Sequence, residues 1–356
     1  VEEFLKILQK SKLLTPGQWL AVCREANGVP PAAHNGLSSD KSGKSPGRPT
    51  PESLARTLVE RRFITRWQAD MLLQGKKDFF LGQYRLLDCI GTGGMGAVFK
   101  ALHGELGRVV AIKILMPGVV KNDLAVRRFL HEIQAVAALD DPHIVAAYDA
   151  GSHGTIHYLV MEYVDGHDLG YLVKHESPLP VPWVCECIRQ AALGLQHAHE
   201  QGLVHRDIKP TNLLVAKDPD SQRPLVKILD LGLARFVTEM TPADLGGPGL
   251  EGTDGSLTQF GQFLGTPDYI SPEQARDTRA ADIRSDIFSL GCTFFRLLTR
   301  ELPFPGDTLV EKLESRESTA SLPARKFRND VPAELEAVLA RMLAHDPNDR
   351  FQTPGE

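Results

Sequence analysis

Four glycines fall within six residues of the stretch IGTGGMGAVFKA (90–101): Gly91, Gly93, Gly94 and Gly96. No other feature constrains this 356-residue chain as much. Glycine is needed where the backbone must take a positive φ, or where something comes too close for a Cβ. The flanks narrow the choice. YRLLDCI before the glycines reads as a strand, as do AVFKAL directly after them and RVVAIKIL further on. A dinucleotide fingerprint needs a strand, the glycines, and then a helix whose N-terminus meets a pyrophosphate. A Walker A loop ends in Gly-Lys-Ser/Thr, and Gly96-Ala97-Val98 does not supply it. With strands on both sides, a hairpin lid over phosphates and a purely structural hairpin remain.

The next strand adds chemistry. Ala111 and Lys113 of VVAIKIL lie two apart and share a face, as do Val98 and Lys100. A small Ala and a branched Val can sandwich a flat base, with Lys113 reaching phosphates beyond it. The plainer reading of a strand lysine is an exposed edge residue. The strongly apolar strand around Lys113 weakens it.

Further along come HRDIKPTN (205–212), DLG (230–232) and GTPDYISPE (265–273), in that order after the glycine loop and VAIK (110–113). Together these motifs resemble the protein kinase family, in particular the eukaryotic-like Ser/Thr kinases of bacteria. The resemblance covers about Tyr84 to Glu356. It implies an α+β, bilobal fold: a small β-rich lobe and hinge over 84–164 and a larger helical lobe over 165–356.

The resemblance also implies roles. Asp207 takes the place of the catalytic base, and Lys209 neutralises charge on the transferring phosphoryl group. Asn212 and Asp230 hold magnesium, or manganese in its place, through hard oxygen atoms. Lys113 pairs with the α/β-phosphates of ATP and with Glu132 of RRFLHEIQAVAAL. Ile90, Gly91, Thr92, Gly93, Gly94, Met95 and Gly96 form the lid, with Val98, Ala111 and Leu214 around the adenine. In YLVMEYVDG (158–166), Met161 stands at the back of the pocket, and backbone groups of Glu162 and Val164 bond the adenine edge. Glu273 pairs with Arg350, and Asp286 braces the catalytic loop. Lys209 with Thr266 marks Ser/Thr specificity. Arg206 reads a phosphate on the long segment before GTPDYISPE, where Thr258 leads Thr253 and Ser256 as the acceptor. The metal motif reads Asp-Leu-Gly instead of Asp-Phe-Gly, with Leu231 as its apolar anchor. The family carries a further helix where this chain stops, six residues after Arg350, so an incomplete C-terminal lobe is expected.

Residues 1–78 carry a different pattern. Leu8, Leu13, Leu14, Thr15 and Gln18 recur fifty residues on as Leu58, Phe63, Ile64, Thr65 and Gln68. Each Thr-x-x-Gln can close a capping box, and Pro16 and Pro51 suit first helical turns. Two helix-turn-helix units are expected, joined by a Gly-, Pro- and Ser-rich loop at about 27–50. They bind a partner, bind the kinase region as an autoinhibitory module, or simply extend it.

The net charge of −5 gives no reason to expect nucleic acid as a partner. Five scattered cysteines without a C-x-x-C pair fit free thiols in a reducing, cytoplasmic setting and no zinc site. No run of 18 apolar residues predicts a membrane span. The expected partners are proteins with Ser/Thr acceptors, with a homodimer as the family's common assembly.

Overall fold

The computed structural model describes residues 1–26, 49–93, 96–115, 133–176, 178–216, 223–231, 268–318 and 320–356. The chain divides into two compact units, Val1–Ile114 and Leu115–Glu356.

The first unit begins with four helices: α1 (Glu2–Ser11), α2 (Pro16–Ala26), α3 (Pro51–Glu60) and α4 (Arg66–Leu73). Their starts are written in the sequence. Thr65 and Gln68 close a reciprocal capping box at α4, and Thr15 and Gln18 make the same pair at α2. Thr50 and Ser53 close another at α3, with Pro51 in the first turn. Apolar residues at helical spacing then face one another: Phe4 and Leu8, Leu54 and Leu58, Ala69 and Leu72, with Leu13 and Ile64 from the turns. Each fully buried leucine in such a core contributes about 2 kcal/mol. Neither helix pair could bury these faces alone.

Phe79, 1% exposed, belongs to this same core and leads straight into a sheet. Within the first unit its strands run in the order β1 (Phe80–Leu81), β2 (Tyr84–Gly93), β3 (Gly96–His103), β4 (Val109–Leu115). β2 and β3 pair antiparallel from Tyr84↔His103 to Gly93↔Gly96, so the glycines do join two strands. The ladder shifts register twice, between Leu86 and Asp88 and between Cys89 and Gly91. Each shift leaves one β2 residue, Leu87 and then Ile90, without a partner on β3.

In the second unit, β5 (Ala147–His153) and β6 (Ile156–Glu162) form a hairpin. A three-stranded sheet follows in the order β7 (Gly166–Asp168), β8 (Leu213–Ala216), β9 (Leu225–Ile228). Gly166 is required at its edge, because a Cβ there would lie 2.0 Å from the Val215 carbonyl oxygen. The long helices Val181–Glu200 and Ile283–Thr299 build the main core with Val226 and Ile228 of β9. Shorter helices at Leu169–His175, Pro272–Arg276, Leu309–Ser318 and Ala333–Met342 complete the unit. Among the described residues no helix is long and apolar enough to cross a membrane.

Candidate active site

In the first unit, β4 is apolar, and its Val110, Ala111 and Ile112 are buried. Lys113 is buried with them, at 6% exposure. That burial removes the edge-lysine reading: an ammonium held inside such a strand serves a partner or a ligand. Ala111 is buried on the same face. Val98 is half-buried on β3, while Ile90 is 46% exposed where the second bulge turns it out. Gly91, Thr92 and Gly93 lie on β2 and Gly96 opens β3 with a φ of 146°. Gly94 and Met95 at the tip lie outside the described residues.

The second unit holds an acidic cluster. Lys209 Nζ donates to Asp207 Oδ2 at 2.7 Å. Asn212 Nδ2 donates to the Asp207 carbonyl at 2.7 Å and to its Oδ2 at 3.1 Å. Leu229 N–H donates to the Asn212 carbonyl at 2.9 Å, which draws the strand end carrying Asp230 to this loop. His205, 1% exposed, bonds the Leu229 carbonyl through Nε2 at 2.7 Å. Both Arg206 and Asp230 have positive φ, 68° and 59°. Such geometry costs a non-glycine residue about 1–3 kcal/mol, so the surroundings must hold it.

They do so from beneath. Asp286, fully buried in the Ile283–Thr299 helix, accepts the amide N–H groups of His205 and Arg206 at 2.7 Å each. Burial pushes its carboxyl above the ordinary range, against those two bonds and the nearby His205 and Arg206 charges. Gln274 Nε2 donates to the Arg206 carbonyl at 2.7 Å. Arg206 Nε itself is buried with no hydrogen-bond partner among the described residues.

Glu273 and Arg350 form a bidentate pair at 2.7 and 2.9 Å. Arg350 is 1% exposed and also donates to the carbonyls of Ala344, Arg284 and His345. Desolvation works to raise the Glu273 carboxyl, but bonds from Arg350 and Ser285 outweigh it and hold it at about 2.

Behind the cluster, Met161, Asp230 and Leu231 line a cavity of about 20 Å³ together with Ile133, Val136 and Leu159. Leu231 is 3% exposed, so leucine does fill an apolar seat in the Asp-Leu-Gly motif. Val164 is half-buried just beyond β6. Leu214 of β8 is opposite Asp168 and Lys227. The Glu162 amide N–H goes to the Ala146 carbonyl at 2.9 Å, so a ligand at Glu162 would meet its carbonyl.

Sequence reasoning passed over Lys227. Its Nζ donates to Glu162 Oε2 at 2.9 Å, joining the strand that leads to Asp230 to the last residue of β6. A lysine alternating with buried Val226 and Ile228 was the available signal. Glu132, Thr253, Ser256, Thr258 and Thr266 lie outside the described residues.

A β-strand hairpin turned by glycines, a buried strand lysine, and an Asp/Lys/Asn loop beside a second aspartate together define the protein kinase fold. The chain belongs to the protein kinase domain family, whose model matches residues 84–354. It is 36% identical over 278 residues to serine/threonine-protein kinase PknB of Mycobacterium leprae, covering 77% of this chain and 42% of the relative. It is 34% identical over 282 residues to serine/threonine-protein kinase PrkC of Bacillus subtilis, covering 79% and 40%. The chain thus spans about two fifths of the length of these curated relatives. Among solved structures, the Mycobacterium tuberculosis PknI kinase domain is similar at 26% identity and a TM-score of 0.56, over 78% of this chain and 94% of that one.

Proposed function

We propose that the protein transfers the γ-phosphoryl group of ATP to serine and threonine hydroxyls of protein substrates, with magnesium or manganese as the metal. The observation that carries this is the Asp207 carboxylate, oriented by Lys209 and Asn212 and set on a loop pinned by Asp286. The donor set fits the group. Asn212 and Asp230 carry hard side-chain oxygen atoms, and the bond from Leu229 N–H to the Asn212 carbonyl brings their two segments side by side, so these residues would hold a divalent cation. Lys113 offers a buried positive charge to phosphates.

Bound ATP and its metal supply the transferable group and the neutralisation of its charge. Asp207 orients the acceptor hydroxyl and takes its proton at a carboxylate oxygen. Lys209, already on Asp207 Oδ2, places positive charge where the phosphoryl oxygens gather. The hydroxyl oxygen bonds to phosphorus as the bond to the bridging oxygen of ADP breaks. The Glu273–Arg350 pair fixes the start of the Pro272–Arg276 helix, next to the segment expected to receive substrate.

Control by phosphorylation belongs to the same reading. Arg206 holds a strained backbone and a buried Nε, which suits a guanidinium waiting for an anion. Thr258 is the proposed acceptor. Incubation with γ-labelled ATP and a basic protein tests the whole reading. Wild type should label the protein and Asp207→Ala should not, while retaining nucleotide binding. Equal labelling by both would refute the role of Asp207. A phosphopeptide map with no phosphate between 238 and 266 would refute the regulatory part.

A further inference from the structure

The α4 start does more than cap a helix. Thr65 Oγ1 donates to the Leu87 carbonyl at 2.5 Å while accepting the Gln68 amide. Gln68 is 1% exposed. Its Oε1 accepts the Thr65 amide at 2.9 Å, which turns its Nε2 to the Leu86 carbonyl at 2.5 Å. The capping box thus grips two consecutive carbonyls of β2.

Both carbonyls lie where the sheet is short or irregular. β1 covers β2 only at Tyr84 and Arg85, and the Leu86 N–H goes to Phe79 O. Leu87 is the bulged residue that has no partner on β3. From there β2 runs directly into the glycine loop. Trp67, between the two gripping residues, packs edge-on against Phe79 at 5.8 Å and tilted against Phe99 of β3 at 5.6 Å. Phe99 and Val98 are consecutive strand residues and so face opposite sides of the sheet. The helices therefore hold the glycine hairpin from the side away from Val98, where they cannot block the nucleotide.

We infer that Thr65 and Gln68 are positioning residues for the glycine-rich loop, and that residues 1–78 act as its built-in mount. This rests on the nucleotide reading proposed above. The fixed bulge sets where Asp88, Cys89 and Ile90 lie and hence where the loop starts. Freed from the helix, the bulge can slide or relax, and the loop loses its aim.

The repeat supplies an internal control. Thr15 and Gln18 form an equivalent, exposed capping box at α2 that, among the described residues, grips no strand. In the full chain, Thr15→Ala and Thr65→Ala remove the same kind of cap, but only Thr65→Ala releases β2. Thr65→Ser keeps the hydroxyl and should restore wild-type behaviour. Gln68→Met, close in volume, is the companion variant should Thr65→Ala fold poorly.

Two readouts apply. Hydrogen exchange of the amides at 88–93 should speed up roughly 10-fold in Thr65→Ala or Gln68→Met, and stay unchanged in Thr15→Ala. KM for ATP, and Kd for a fluorescent ATP analogue, should rise roughly 5- to 10-fold with kcat within about twofold. Folded Thr65→Ala and Gln68→Met proteins with wild-type exchange and wild-type Kd would overturn the inference, as would an equal effect from Thr15→Ala. Exchange needs no nucleotide. A wild type that binds none would sink the functional reading, while exchange at 88–93 would still decide whether the mount holds.

Discussion

Arg350→Met is the most informative single perturbation of the second unit. Arg350 sits 1% exposed, over the Phe288 ring at 4.9 Å, and directs its guanidinium to both Glu273 oxygens and three carbonyls. Methionine keeps much of the stem and removes every donor. Glu273 is left as a carboxylate whose side chain is only 15% exposed, with Ser285 as its remaining side-chain donor among the described residues. Breaking such a pair from one side costs about 3–5 kcal/mol. An independent figure comes from the acid. A carboxyl moved from 4.5 to about 2 prefers its ionised form in the fold by about 3 kcal/mol, which partial solvent access trims to about 2 kcal/mol. The sign follows from the depressed folded value. The contribution is full above about pH 4.5 and is lost as the pH falls through about 2. Urea titrations read by hydrogen exchange in the Ile283–Thr299 helix, at pH 7 and again at about pH 3, test both figures. Arg350→Met should lose about 3–5 kcal/mol at pH 7. The gap between wild type and Glu273→Gln should narrow on acidification. The double variant Glu273→Leu/Arg350→Met should cost less than its two single changes together, by at least about 1 kcal/mol. Strict additivity, or a loss below about 1 kcal/mol for Arg350→Met, would refute the reasoning.

Asp207→Asn should lower kcat by about 10²–10⁴ with little change in nucleotide Kd, as seen by single-turnover phosphoryl transfer and a binding titration. Lys227→Met removes the Glu162 partner and should raise KM for ATP roughly threefold more than it lowers kcat, a split that steady-state kinetics reads directly. Cys187 and Cys292 are buried, and burial drives both thiols up, Cys292 to about 12. Maleimide labelling of the native protein at pH 8, mapped by mass spectrometry, should spare these two and modify them only after unfolding.

The family and the catalytic loop were legible because their chemistry is local. Asp207, Lys209 and Asn212 meet through hydrogen bonds that span five residues or fewer, so sequence spacing alone nearly fixes their geometry. Both Thr-x-x-Gln boxes were legible for the same reason. Lys113 could be argued only from the apolar company of its strand, and its burial carries that argument further. Contacts between distant segments whose participants look ordinary left no such trace. Lys227 and Glu162 lie 65 residues apart, and neither has a pattern that names the other. Gln274 reaches Arg206 across 68 residues.

The N-terminal repeats show the limit most sharply. Their capping boxes are identical in sequence, Thr-x-x-Gln in both, yet one is exposed and the other buries its glutamine against β2. The difference lies in the strand that follows α4 and in the residue inside the box. Gly17 stands where the second copy has Trp67, and a Cβ added to it would meet nothing within 4 Å. Trp67 instead fills the space between Phe79 and Phe99. The acceptor for Thr65 is the carbonyl of Leu87, the residue at the first register shift of β2. A helix cap and a strand irregularity, each a local defect in backbone hydrogen bonding, satisfy one another here. With Phe79 in the helical core and two β2 carbonyls in the α4 cap, the region is built into the strand that carries the glycines. Phe4 and Leu8 of α1 and Val22 of α2 share one core with Ala69 and Leu72 of α4, the helix whose cap holds that strand.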